Sequence, residues 1–246
     1  MARRRLDEAV VQAGHAANHD QAKRMIMAGE VLVDNAPLTK AGTLIAIDAV
    51  LRIRRKEGKF ASRAGLKLEA ALEHYQLPVR GRTALDLGAS TGGFTDCLLQ
   101  HGAQKVFAVD VGTNQLIYRL RTDPRVISLE RVHAKNLSTD LVPEPIGAMT
   151  VDVSFTSLRF VLPHALPLLT PSAWLLTLFK PQFELPRAQV GPGGIVRNRE
   201  AIDQSLAEFL EWLRDQGLVQ TQKTFPCPIK GREGNQEYFL ALAFAR

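Results

Sequence analysis

The stretch Asp86-Leu87-Gly88-Ala89-Ser90-Thr91-Gly92-Gly93-Phe94-Thr95-Asp96 follows an apolar run, Thr83 to Leu87, and leads into a helical pattern that reaches Gln100. A strand that turns through small residues into a helix reads as the opening βα unit of a ligand-binding α/β sheet. Glycines in that turn let backbone come close to a nucleotide-like ligand at the carboxyl edge of the sheet. About 20 residues later, as such folds require, Val109-Asp110-Val111-Gly112 ends a second apolar run with a carboxylate suited to a ribose diol. Ala89 and Ser90 stand where the GxGxxG dinucleotide fingerprint places its second glycine, the one that approaches a pyrophosphate. A ligand without phosphates, such as S-adenosylmethionine, therefore fits better than a dinucleotide; a plain tight turn is the remaining alternative. The candidate cofactor residues are Asp86, Gly88, Ala89, Ser90, Thr91, Gly92, Gly93, Phe94, Asp110 and Val111.

Working outward, apolar strands alternate with helices. Strands are expected at Val106 to Val109, Val126 to Leu129, Ala148 to Val153 and Trp174 to Leu178, with helices at Thr91 to Gln100, Asn114 to Leu120, Leu158 to Leu169 and Glu200 to Asp215. That alternation predicts an α/β, Rossmann-type, mostly parallel sheet covered on both faces. The last two strands, Leu218 to Thr224 and Tyr238 to Phe244, have no helix between them, so one is expected to be antiparallel. Ahead of this region, apolar residues at helical spacing predict helices over Leu6 to Gly14 and Asp20 to Ala28. Short strands follow at 31–33, 43–47 and 50–53, a small α+β module of about 55 residues. The charged segment 54–59 reads as a linker, which divides the chain into domains 1–60 and 61–246.

The 246 residues are 46% hydrophobic and 23% charged, which excludes a disordered chain or a coiled-coil rod. The one long apolar stretch, Phe160 to Phe179, is interrupted by Pro163, Pro167 and Pro171 and reads as core, not as a membrane span. No apolar h-region or cleavage site follows Arg3-Arg4-Arg5, so a secretory signal is not expected and the protein is placed in the cytoplasm. Cys97 and Cys227 lie far apart without CxxC or Cys/His company, which indicates neither a disulfide nor a metal site. The net charge is +6, and the first 60 residues hold 11 basic and 7 acidic side chains. A basic module on a nearly balanced larger one points to a polyanion partner such as nucleic acid, with a solvated basic face as the alternative.

Six motifs in order, Ser62-Arg63-Ala64-Gly65-Leu66-Lys67-Leu68, Gly88 to Asp96, Val109 to Gly112, Val151-Asp152-Val153-Ser154-Phe155, Lys180-Pro181-Gln182-Phe183-Glu184 and Gly234-Asn235-Gln236-Glu237, closely resemble the TlyA (haemolysin A) family of rRNA 2′-O-ribose methyltransferases. The resemblance covers essentially the whole chain. It implies an S4-like RNA-binding domain, an FtsJ-like methyltransferase domain, S-adenosylmethionine as cofactor, and ribosomal RNA within ribosomal subunits as partner, with cytidine as the modified nucleoside and a monomer favoured. It also implies a catalytic tetrad, here Lys67, Asp152, Lys180 and Glu237, with Lys180 as candidate general base, Lys67 orienting the ribose hydroxyl and the two carboxylates holding the lysines. In an S4-like hairpin the phosphate contacts fall to Arg5, Lys23, Arg24 and Lys40, with Arg63 from the start of the larger domain. Asn18-His19 stands where S4-like modules carry Ser-Arg, and Asn18 can still cap the second helix. A second class of function is an rRNA-binding assembly factor that no longer reacts, and a third, suggested only by the haemolysin name, is a membrane-active protein. The absence of a spanning segment counts against the third. The loop 181–199, with Gly191, Gly193, Gly194, Arg187, Arg197 and Arg199, reads as long enough to close over RNA or as a surface excursion.

Overall fold

The computed structural model describes residues 2–53, 58–231 and 233–244. The chain forms two compact units, Met1–Gly58 and Lys59–Arg246. In the first, β1 (Arg3–Arg5) runs directly into α1 (Leu6–Gln12). Then come α2 (His19–Met27), β2 (Val31–Val33), β3 (Ala36–Pro37), β4 (Leu44–Ala46) and β5 (Leu51–Ile53). The two helices bury Leu6, Val10, Ala22 and Ile26 against Val31, Val33 and Ile45. Asn18 caps α2, its Oδ1 accepting the Gln21 N–H at 2.9 Å. Arg3 to Arg5 pair antiparallel with β4. Most of the segment read as a linker, residues 54–57, lies outside the described residues.

The second unit opens with α3 (Ala64–Tyr75), a helix the strand-and-helix alternation passes over. Then follow β6 (Thr83–Leu87), α4 (Gly93–Gln100), β7 (Lys105–Asp110), α5 (Tyr118–Arg121), β8 (Val126–Glu130), β9 (Ile146–Val151), α6 (Leu158–Ala165), β10 (Leu169–Phe179), α7 (Pro181–Glu184), α8 (Arg199–Asp215), β11 (Leu218–Gln220), β12 (Phe225–Pro226) and β13 (Tyr238–Phe244). The main sheet has the order β11-β13-β10-β9-β6-β7-β8, with β12 paired to β13. From β10 to β8 every pairing is parallel; β13 runs antiparallel to both β10 and β11. Its strands read as continuous apolar runs because both faces are covered. Leu68 and Leu72 of α3 and Leu98 of α4 pack on one face, and Leu162 of α6 with Phe209 and Leu213 of α8 on the other.

Two helices end earlier or start later than their patterns suggest. Asn114 adopts a left-handed φ of 52° and donates its N–H to Glu130 Oε1 at 2.9 Å, so α5 begins only at Tyr118. Pro167 cannot continue α6, which stops at Ala165, and the chain passes through a short turn into β10. Among the described residues no helix is long and apolar enough to cross a membrane.

The strand order reverses around β6, whose neighbours are β7 on one side and β9 on the other. Such a reversal opens a crevice at the carboxyl ends of the strands. Asp86 lies under this crevice, not in it. Its fully buried carboxylate accepts the Thr95 hydroxyl at 2.7 Å and the Thr150 hydroxyl at 2.9 Å, bracing α4 against β9. Burial pushes this carboxyl up from 3.8 to about 6, against the two opposing hydroxyl bonds. A raised folded-state value means that the stabilising contribution is complete below pH 3.8 and is lost as pH rises through about 6. Asp86→Asn keeps both threonine contacts without the titration. Relative to the wild-type protein, its unfolding free energy in urea is expected to gain about 3 kcal/mol between pH 3.8 and neutrality.

Candidate active site

Four strand ends and one helix converge on the crevice. Gly88 leaves β6 at a φ of 85°, and a Cβ there would stand 2.5 Å from the Asp152 carbonyl oxygen, so only glycine lets the loop lie against the end of β9. Asp152 directly follows β9 and Lys180 directly follows β10. Because β13 is antiparallel to β10, with Phe179 opposite Tyr238, its first residues come to the same edge, and Glu237 arrives beside Lys180. Lys67 comes from the first turn of α3. That helix docks closely on α4 because Gly93 has no side chain: a Cβ there would lie 2.4 Å from Ser62 Oγ. At its far end the Tyr75 hydroxyl donates to the Phe239 carbonyl at 2.8 Å and fixes α3 to β13.

The side chains form two buried ion pairs. Lys67 Nζ lies 2.5 Å from Glu237 Oε2, and Lys180 Nζ lies 2.6 Å from Asp152 Oδ1 and donates to Ser154 Oγ at 3.0 Å. Both lysines are only 7% exposed. All four charged groups line one cavity of about 500 Å³, together with Arg63, Ser154 and Phe155. Two lysines and two carboxylates compensate one another, so the cavity concentrates hydrogen-bonding groups without net charge. This arrangement suits the positioning of a hydroxyl and the movement of its proton.

A second cavity of about 480 Å³ adjoins the first and shares Gly88, Ser90, Asp152 and Phe155 with it. Asp110 stands at its edge, Oδ2 accepting the Ser90 N–H at 2.8 Å and Oδ1 the Gly112 N–H at 2.7 Å. Each oxygen keeps a lone pair for a sugar hydroxyl. Val111, Val132 and Ala134 supply apolar surface, and among the described residues no lysine or arginine lines this cavity, as expected for a nucleoside ligand without phosphates. Gly88, Ser90, Asp110 and Val111 face this cavity, while Ala89, Thr91, Gly93 and Phe94 face the first. Two residues expected at the cofactor line neither cavity. Asp86 is on the face of β6 that packs under α4, and Gly92 turns toward Leu116 and Leu120.

In the first unit Lys23, Arg24 and Lys40 are exposed. Arg5 is half exposed and donates from Nε and Nη2 to the buried Asp7 at 3.0 and 2.8 Å. Arg63, in the second unit, is exposed at the rim of the ion-pair cavity and donates to the Lys230 carbonyl at 3.3 Å.

Three contributors escape reading from sequence. Phe155 is 90% exposed at a φ of 62°, a left-handed conformation that is costly for a bulky residue. Glu184 accepts the Ser157 hydroxyl at 2.6 Å and the Leu158 N–H at 2.7 Å, tying the turn after Lys180 to the start of α6, and burial pushes its carboxyl up. Asn235, also buried, holds the 194–196 backbone. The quoted motifs contain all three, but their partners lie 26 or more positions away, and local pattern carries no signal for them. Lys67→Met would leave Glu237, 3% exposed, without its counter-charge, at a cost of about 3–5 kcal/mol in urea unfolding. The double variant Lys67→Met/Glu237→Leu is expected to recover most of that loss.

Residues 60–244 match the FtsJ-like methyltransferase family, and residues 4–51 match the S4 domain. The sequence is 39% identical over 244 residues to the 16S/23S rRNA (cytidine-2′-O)-methyltransferase TlyA of Mycobacterium tuberculosis, covering 98% of this chain and 91% of that protein. It is 41% identical over 236 residues to Hemolysin A of Brachyspira hyodysenteriae, covering 95% and 97%. A solved structure labelled a hemolysin, from Streptococcus thermophilus, superposes with a TM-score of 0.74 at 37% identity, covering 100% of this chain and 90% of that one.

Proposed function

Since the chain belongs to the TlyA family of FtsJ-like methyltransferases, we propose that it transfers a methyl group from S-adenosylmethionine to a ribose 2′-hydroxyl, on cytidine, of ribosomal RNA within ribosomal subunits in the cytoplasm. The observation that carries this reading is the pair of ion pairs, Lys67–Glu237 and Lys180–Asp152, drawn from four separate elements onto one cavity beside the Asp110 cavity. S-adenosylmethionine supplies an electrophilic methyl on a sulfonium. Asp110 would hold its ribose, and Val111 and Val132 would flank its base.

Lys180, the candidate general base, takes up the proton of the 2′-hydroxyl as that oxygen gains the methyl group released from sulfur, and passes a proton of its own to the paired Asp152 carboxylate. Asp152 and Ser154 keep Nζ facing the cavity. Lys67, fixed by Glu237, donates to the same hydroxyl and orients its lone pair. Most of the acceleration comes from placing the acceptor oxygen in line, for which four fixed side chains suffice. Phe155, which borders both cavities, offers an exposed ring face on which the base of the target nucleotide stacks. The S4-like unit contributes Lys23, Arg24 and Lys40 as phosphate contacts that position the enzyme without reading sequence.

The test is transfer of labelled methyl to separately purified small and large ribosomal subunits from cells lacking this gene. Label is expected in RNA, at a position resistant to alkaline cleavage, and absent with a folded Lys180→Ala variant. Binding of S-adenosylmethionine without transfer to either subunit would overturn the reading in favour of an assembly factor. Asp110→Ala is expected to weaken S-adenosylmethionine binding about tenfold or more in calorimetry. Phe155→Gly relieves the strained φ, so thermal unfolding should not fall, while kcat/KM drops about tenfold.

A further inference from the structure

The ribose and the methyl donor leave a third space unused. A trough of about 770 Å³ continues from the ion-pair cavity past Phe155 and Phe183, between the first turn of α6 and the 181–194 segment. Its surface is largely apolar, with Phe160, Leu185 and Val190 facing it. Phe160 is 72% exposed on the free side of α6, whose other side supplies Leu158, Val161 and Leu162 to the core. Together with Phe155 it forms an exposed aromatic surface beside a reactive cavity, the kind of patch that marks a binding site.

The far wall of the trough is built into the fold. Buried Asn235 donates from Nδ2 to the Gly194 carbonyl at 2.7 Å and accepts the Val196 N–H at 2.9 Å. Gly191 N–H donates to the Ile195 carbonyl at 3.0 Å, and Glu184 anchors the near end to α6. Among the described residues the trough is lined by one cation, Arg187, and one carboxylate, Glu233, and Arg187 forms no salt bridge there.

An RNA strand that delivers one ribose to Lys180 continues through a phosphate to the next base. The trough shares Phe155, Gln182 and Phe183 with the ribose cavity, presents an aromatic face, and carries the Arg187 guanidinium, which forms no salt bridge among the described residues. We propose that it is a subsite for the nucleobase adjacent to the methylated nucleotide, stacked on Phe160 with Arg187 at the connecting phosphate. This inference rests on the reading of the ion-pair cavity as the ribose site. Stacking on an aromatic ring tolerates any base, so the subsite contributes affinity and strand direction and leaves base choice to other contacts.

Steady-state methylation of the accepting ribosomal subunit tests the subsite. Phe160→Ala and Phe160→Leu are expected to raise KM for the subunit about tenfold with kcat within about twofold, and Phe160→Tyr to restore the wild-type KM. A merely structural role would not distinguish leucine from tyrosine at an exposed position. In parallel, Phe160→p-benzoylphenylalanine is photocrosslinked to the subunit, and the crosslink is mapped against the methylated nucleotide. A crosslink one nucleotide away supports the subsite. With methylation intact, an unchanged KM in Phe160→Ala or a crosslink to protein or distant RNA overturns it alone. Absence of any methylation by the wild-type protein overturns the underlying reading instead.

Discussion

Two lysines at 7% exposure survive burial only because each meets a carboxylate at close range. Removing a lysine ammonium from water costs several kcal/mol, and the cost is offset only when the partner charge is held in good geometry. The surrounding architecture serves that condition. The antiparallel turn into β13 carries Glu237 to the edge where parallel strands deliver Asp152 and Lys180. The close approach at Gly93 brings α3, and with it Lys67, onto the same edge. A fold that placed any one of these elements a single turn away would leave a charge buried and unpaired.

Around this pair of pairs the protein accepts local costs. Phe155 is held in a left-handed conformation with its ring in solvent, and Phe160 is left exposed on a helix whose other side is core. Neither arrangement helps the fold. Glu184 holds the 157–158 backbone between these two rings, and Asn235 holds the 194–196 backbone on the far wall of the trough.

Much of the larger unit is legible from pattern alone. Apolar runs of strand length separated by helical spacing locate β6, β7, β8, β9 and α4 closely and the second half of β10, because a sheet covered on both faces writes its burial into consecutive residues. The helix α3 has as clear a pattern, Leu68, Ala71, Leu72 and Tyr75, yet alternation of strand and helix gives it no place, and Lys67 is legible only through its motif. Asp86 shows the opposite limit. Residue type and position suggest a ligand contact for it, whereas its buried partners, Thr95 and Thr150, claim its hydrogen bonds.

Local pattern specified the alternating strands and helices from β6 onward, the small-residue loop after the first parallel strand, the carboxylate that ends the next, and the identity of the four charged residues within recognisable motifs. Those features depend on local chemistry: strand and helix periodicity, glycine's freedom at a turn, and residue type at a strand end. Tertiary structure alone decided which charges pair, which loop residues face a cavity, and that Phe155 and Phe160 stand exposed at its border. Lys67 and Glu237 are 170 positions apart, and pairing at that separation follows from sheet order and helix docking, quantities that no local window of sequence contains.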